Sequence, residues 1–195
     1  MKAGFASGGA ALLVIALVSS GCRRSDELFP LKIGNEWSYN VRTGLAQFVE
    51  PVKVSRSLSV AGAEGYELAG PMGSLRLGWK DKVLYATSLP NLRIAQDSPA
   101  LPILVEARQK TERQWQGKIE FLGRFQSGSA TLEQAPEQLK IAGKSYDTVR
   151  AKLLLKLPER SIELITWYAR GIGPIRQEQR TNGTWDVGLD YLGGP

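Results

Sequence analysis

Histidine does not occur among the 195 residues. The commonest general base, triad partner and zinc ligand is therefore missing from any chemistry this chain performs. Cysteine occurs once, at Cys22, so no disulfide can form within the chain. No serine sits in a G-x-S-x-G setting, and no D-x-D-x-D run offers a calcium loop. Lys144-Ser145 are adjacent in a turn, which points the two side chains apart rather than into a Ser–Lys pair. Long apolar runs are lacking too: AALLVIALV, residues 10–18, falls well short of the ~20 residues an α-helix needs to cross hydrocarbon. Basic residues never run beyond Arg23-Arg24. No catalytic set, metal site or cofactor is expected, and the protein is expected not to be an enzyme. The chemistry the absences leave open is a hydrolase built from paired carboxylates on distant strands.

What is present begins at the N-terminus. Met1 and Lys2 give a short positive region, the apolar run follows, and Ser19-Ser20-Gly21-Cys22 ends it with small residues and a cysteine. That is the arrangement of a secretory signal peptide. The last four residues resemble the lipobox Leu-(Ala/Ser)-(Gly/Ala)-Cys at Ser20, Gly21 and Cys22, with Ser19 where leucine is commonest. The resemblance implies cleavage between Gly21 and Cys22 and acylation of Cys22, palmitate among the chains. A thioether diacylglycerol with an N-acyl chain anchors stably, where one chain binds only marginally. The membrane is thus the expected partner, through Cys22. Arg23, where inner-membrane retention signals carry aspartate, favours an outer membrane and a periplasmic domain. Export argues against nucleic acid. Without Lys2, 24 basic side chains face 19 acidic ones, and their scatter reads as a solvated surface.

Residues 1–21 are read as signal peptide, 22–32 as a membrane tether and 33–195 as one domain. Hydrophobic content of 43% with 23% charged residues suits a globular domain of this length. Beyond the tether, apolar and polar residues alternate with period two and break at turn residues every 8–12 positions, which predicts an all-β fold. Trp37, Tyr39 and Val41 share a face, as do Leu75, Leu77 and Trp79, and Val149 through Leu157 at odd numbers. Trp185, Val187, Leu189 and Tyr191 form the last such face. Asn182-Gly183 is the clearest hairpin turn, with the two positive φ angles of type I′. Residues 100–112 fit no alternation and are left as loop or short helix. The expected architecture is a single curved antiparallel sheet or half-barrel of roughly 8–11 strands, joined mostly by hairpins.

Two readings concern binding. The five tryptophans fall on period-two faces, where they either fill a core or line a groove. Arg56 interrupts the run Val52, Val54, Leu58, Val60. It either snorkels to solvent, pairs with a carboxylate such as Glu67 or Glu120, or meets a ligand's anionic group at the end of a concave apolar face.

Two stretches carry a further resemblance. FPLKIGNEWSYN (29–40) resembles the F/Y-P-L-x-x-G-x-x-W-x-Y head of a group of uncharacterised bacterial lipoproteins. WYARGIGPIRQE (167–178) resembles the Y-A-x-G-x-G tail of the same group, with Pro174 where an aliphatic residue is more usual. The resemblance implies a curved antiparallel sheet, similar to the half-barrel of lipoprotein carriers, and no shared activity. Read for themselves, the paired glycines of Gly171-Ile172-Gly173 permit a sharp bend between strands. The expected role is a non-enzymatic binding or envelope-assembly module for an apolar ligand. The alternative is a membrane-tethered scaffold for an envelope protein.

Overall fold

The computed structural model describes residues 27–70, 73–107 and 109–195. Gly21, Cys22 and the expected signal peptide lie outside the described residues. Thirteen strands account for nearly all of the rest: β1 (Glu36–Thr43), β2 (Gln47–Val60), β3 (Ala63–Gly70), β4 (Gly73–Lys80), β5 (Val83–Leu89), β6 (Leu92–Ile94), β7 (Leu101–Val105), β8 (Thr111–Phe121), β9 (Arg124–Ile141), β10 (Lys144–Leu157), β11 (Arg160–Ala169), β12 (Gly173–Thr181) and β13 (Thr184–Gly193). All pairings are antiparallel, as the alternation predicts.

The sheet does not stop at a half-barrel. Its order runs β4-β3-β2-β1-β13-β12-β11-β10-β9-β8-β6-β5, and β5 pairs back onto β4. Lys80↔Val83 through Arg76↔Ser88 make that last seam. Closure pairs the edges an open sheet would expose, and the period-two pattern cannot announce it, because the inside of a barrel and the concave side of an open sheet carry the same residues.

β6 and β7 together fill one position of the ring. Both pair with β5, β6 at Ser88 and Leu89 and β7 from Val83 to Ala86. The chain leaves the wall between them, at 95–100. Only β6 continues the ladder to β8, at residues 119–121. Val105 of β7 is instead held by the buried Gln134 of β9. The Gln134 side chain accepts from the Val105 N–H at 2.8 Å and donates to the Val105 carbonyl at 2.9 Å. This segment looked like loop or helix in sequence because Leu101–Val105 is buried on both faces and so does not alternate.

Among the described residues, five connections are two-residue hairpins with both φ angles positive: Ala61-Gly62, Asp81-Lys82, Leu122-Gly123, Ala142-Gly143 and Asn182-Gly183. These are the turns whose twist matches flanking strands. The connections β1–β2, β5–β6, β8–β9, β10–β11 and β12–β13 gather at one end of the barrel, and β2–β3, β4–β5, β9–β10 and β11–β12 at the other.

Inside is one large apolar core, from Trp37, Tyr39 and Val41 through Leu77, Leu84, Ile119, Leu132 and Leu155. A second, smaller cluster lies on the outer side of β11, where Ile165, Trp167 and Ala169 meet Leu139, Ile141 and Tyr146 of the long β9–β10 hairpin. The rest of the outer wall is laced with ion pairs, including Lys152–Glu163, Arg93–Glu120 and Arg176–Asp190.

Candidate functional site

The two ends of the barrel differ. At the end holding the β11–β12 turn, the chain's own N-terminal segment closes the opening. Leu28, Phe29 and Leu31 are buried. The described part of the expected 22–32 tether, from Glu27 on, is therefore part of the fold, and any free tether ends before it. The Phe29 ring meets Trp37 edge-on at 5.2 Å and Tyr168 at 6.1 Å. Trp79 donates its indole N–H to the Phe29 carbonyl at 3.0 Å, and Leu28 N–H reaches Glu106 at 3.1 Å.

The head and tail motifs meet here. Trp37 Nε1 donates to the Ile172 carbonyl at 2.6 Å, Tyr39 Oη to the Pro174 carbonyl at 2.9 Å, and Gly171 N–H to the Glu27 carbonyl at 2.9 Å. Gly173 has φ +101°, and a Cβ there would lie 2.6 Å from Phe29 Cδ2. The spaced glycines thus let the β11–β12 turn lie flat against the plug. Burial raises the Tyr39 and Tyr168 phenol pKa values, reinforced at Tyr39 by Tyr168 and Tyr191. Both stay neutral, and Tyr39 acts as a hydrogen-bond donor.

Below the plug the barrel is hollow. A cavity of about 260 Å³ runs from Phe29, Tyr39 and Tyr168 to the opposite end. Val52, Leu68, Leu75, Leu77, Leu89, Ile103, Leu153, Leu155, Ile162 and Leu164 supply apolar wall. β12 supplies a polar stripe, Gln177, Gln179 and Thr181. Thr181 Oγ1 and Gln179 Nε2 both donate to Asp186 Oδ2, at 2.6 and 3.4 Å. Arg160 lies at the mouth with its guanidinium 4.3 Å from the centre of the Phe121 ring. A mostly apolar cavity with a few convergent polar groups has the make-up of a small-molecule pocket, and its volume lies just below the ~300 Å³ at which such pockets begin.

The mouth combines exposed apolar side chains with the charges of Arg124, Glu159 and Arg160. Of the strongly exposed large hydrophobic residues, Leu45, Phe48, Val49, Leu122, Phe125 and Trp185 all belong to the connections at this end or to the strand residues beside them. The plugged end carries charged side chains at Lys80, Asp81, Lys82, Glu106, Lys144 and Arg170.

Arg56 is not at this cavity. β2 carries a bulge between Val54 and Arg56, where Val54 pairs with Leu68 but Arg56 with Glu67. The extra residue, Ser55, turns the rest of the strand over. Val54 is interior, while Arg56 projects outward with a side chain 63% exposed, 3.0 Å from Glu67. The single apolar face expected across 52–60 is thereby corrected, and the carboxylate partner is Glu67. Arg76 reaches the same oxygen at 2.9 Å, and the hydrogen bonds from Arg56 and Arg76 hold the Glu67 carboxyl below its usual range. A second bulge, at Asp186, does the same in β13. Trp185 pairs with Arg180 and is 36% exposed, while Val187 is buried, so the expected shared face is broken between them. Trp37 and Trp115 fill the interior core, Trp79 packs half-buried against it, and Trp167 is buried in the outer cluster.

Sequence reading missed Arg160, Gln177 and Gln179. Arg160 follows a Pro-Glu turn and looked like surface. The glutamines, Gln177 and Gln179, alternate with charged residues in PIRQEQR, and only the apolar residues of neighbouring strands mark their face as interior.

Fold and site define a class: an all-antiparallel barrel, plugged by its own leading segment and hollow at the far end. No family model and no curated protein matches the chain. Among solved structures it is similar to a candidate lipoprotein from Parabacteroides distasonis, at 13% identity and a TM-score of 0.51, over 86% of this chain and 98% of that one. It is also similar to a candidate exported protein with a YmcC-like fold from Bacteroides fragilis, at 12% identity and a TM-score of 0.50, over the same shares. These likenesses establish a shared fold.

Proposed function

We propose that this protein is a cell-envelope lipoprotein, anchored through Cys22, that holds an apolar ligand inside its barrel and performs no catalysis. The observation that carries the reading is the apolar cavity, open where the molecule is rimmed by Leu45, Phe48, Leu122 and Trp185. The lipoprotein and exported-protein names of proteins with this fold support the location, as do the signal-like N-terminus and its lone cysteine.

The anchor sets an orientation. Glu27 lies at the plugged end, bonded to Gly171. Cys22 is five residues upstream, within about 18 Å even when extended. The plugged end therefore faces the anchoring membrane and the mouth points away from it. The exposed rim also supports the second reading, a scaffold that docks an envelope protein on the mouth.

Native mass spectrometry of the gently extracted protein tests both. Binding predicts an adduct of small-molecule mass that disappears in Leu75→Trp, which fills the cavity from its half-buried wall. A protein partner in place of that adduct favours the scaffold, and neither species would end the ligand reading. Metabolic labelling with a clickable fatty acid should mark the parent and not Cys22→Ser; equal label on both would end the anchor.

A further inference from the structure

We propose that the cavity takes an amphiphile with a single apolar chain and an anionic head, and that Arg160 holds the head at the mouth. This rests on the cavity being a ligand site and adds the ligand's class. Arg160 opens β11, opposite Leu157 across the hairpin, and its guanidinium lies over Phe121. Arg42, Arg56, Arg76, Arg93, Arg150, Arg170, Arg176 and Arg180 each have a carboxylate within 4.0 Å. Arg160 has none among the described residues; the exposed Arg113 and Arg124 share this, but Arg160 is half-buried. A guanidinium stacked on a ring keeps the donors at its edge free for two-point capture of a carboxylate or phosphate.

The other charges at this end do not occupy it. Asp186 already accepts from Thr181 and Gln179. Glu159 is the preceding turn residue and forms no ion pair among the described residues. Arg124, opposite Phe121, adds positive charge to the same side of the mouth. Beneath Arg160 the wall is Phe121, Leu153, Leu155, Ile162 and Leu164. A cation above an apolar shaft has the polarity of an amphiphile inserted tail first. Deeper along β12, the Gln177 amide has no hydrogen-bond partner among the described residues and faces the same space, which leaves it free to meet an oxygen carried by the ligand. A volume of about 260 Å³ suits one chain and not two.

The experiment is competition against the neutral fluorophore N-phenyl-1-naphthylamine. Decanoic acid, decanol and a monoacyl phosphatidic acid compete in turn, on the parent, Arg160→Met and Arg160→Lys. The parent should favour an anionic competitor over decanol by about tenfold or more. Arg160→Met, which keeps the apolar stem, should erase that preference, read as the ratio of acid to decanol competition at the fluorophore affinity measured for the variant itself, and Arg160→Lys should retain part of it. Whether the acid or the phosphatidate competes better tells a free fatty acid from a phospholipid head. Equal competition by acid and alcohol on the parent, or an undiminished preference in Arg160→Met, overturns the head assignment and leaves the cavity reading standing. Failure of the fluorophore and all competitors to bind the parent overturns the cavity reading itself.

Discussion

At the scale of single residues, glycine shows how conformation and contact divide the work. Gly143 and Gly173 both have positive φ, +81° and +101°. A Cβ at Gly143 would meet nothing within 4 Å, whereas at Gly173 it would strike the Phe29 ring. Gly143→Ala should thus cost only backbone strain, about 1 kcal/mol, and lower the melting temperature by ~2–4 °C for a domain this size. Gly173→Ala adds displacement of the plug to a φ that alanine rarely adopts. It should cost at least twice as much, roughly 3 kcal/mol, the upper range for local strain. Thermal melts of the two variants check this. Equal melting temperatures would mean that Phe29 does not press on the turn.

At the scale of elements, the bulges decide which side of a strand faces in. Beyond Ser55, Arg56, Leu58 and Val60 lie outside, and Val60 fits over Gly65 and Gly78, whose missing side chains leave it room. Three strands are tied together on this outer side, because Arg56 of β2 and Arg76 of β4 share Glu67 of β3. The Glu67 pKa is depressed in the folded protein. Its stabilising contribution is therefore fully present above the unfolded carboxylate value of about 4.3 and fades as pH falls through the lower folded value. Exposed pairs of this kind contribute no more than about 1 kcal/mol. Glu67→Gln should melt up to a few degrees below the parent at pH 7, and the gap should close as the pH is lowered below about 4. A gap that persisted or widened in acid would contradict the ion-paired geometry. Tilted, bulged and hairpin-linked strands also explain closure: each bulge adds local twist, and twelve ring positions with accumulated twist bring β5 back to β4.

At the scale of the whole molecule, the N-terminal segment is a structural part of the barrel. Leu28, Phe29 and Leu31 are buried, and burying side chains of this size contributes about 1.5–3 kcal/mol each. Their sum is comparable to the ~5–15 kcal/mol by which a domain is stable. A chain starting at Ser25 should melt cooperatively, and one starting at Lys32 should lose its near-UV circular dichroism or melt far lower. If the shorter chain matched the longer, the plug would be an accessory and the cavity a through-channel. The same segment sets the molecule's polarity, since it fills one end of the barrel and leaves the mouth at the other.

By itself the sequence determined the all-β class, the antiparallel hairpins and the Asn182-Gly183 turn, because side-chain alternation and positive φ are local properties that neighbouring residues express directly. It also marked the head and tail motifs as places where glycine and aromatic residues were needed. Only the tertiary structure decided that those motifs bind each other, since Trp37 and Ile172 are 135 residues apart and nothing local couples them. Closure, the inward face of Gln177 and the mouth position of Arg160 were likewise beyond local reading. An inserted bulge residue reverses a strand's faces without leaving a mark in composition, as Ser55 and Asp186 show. The polar residues of a cavity acquire their meaning from the apolar strands across the barrel, which the chain brings together only when the ring shuts.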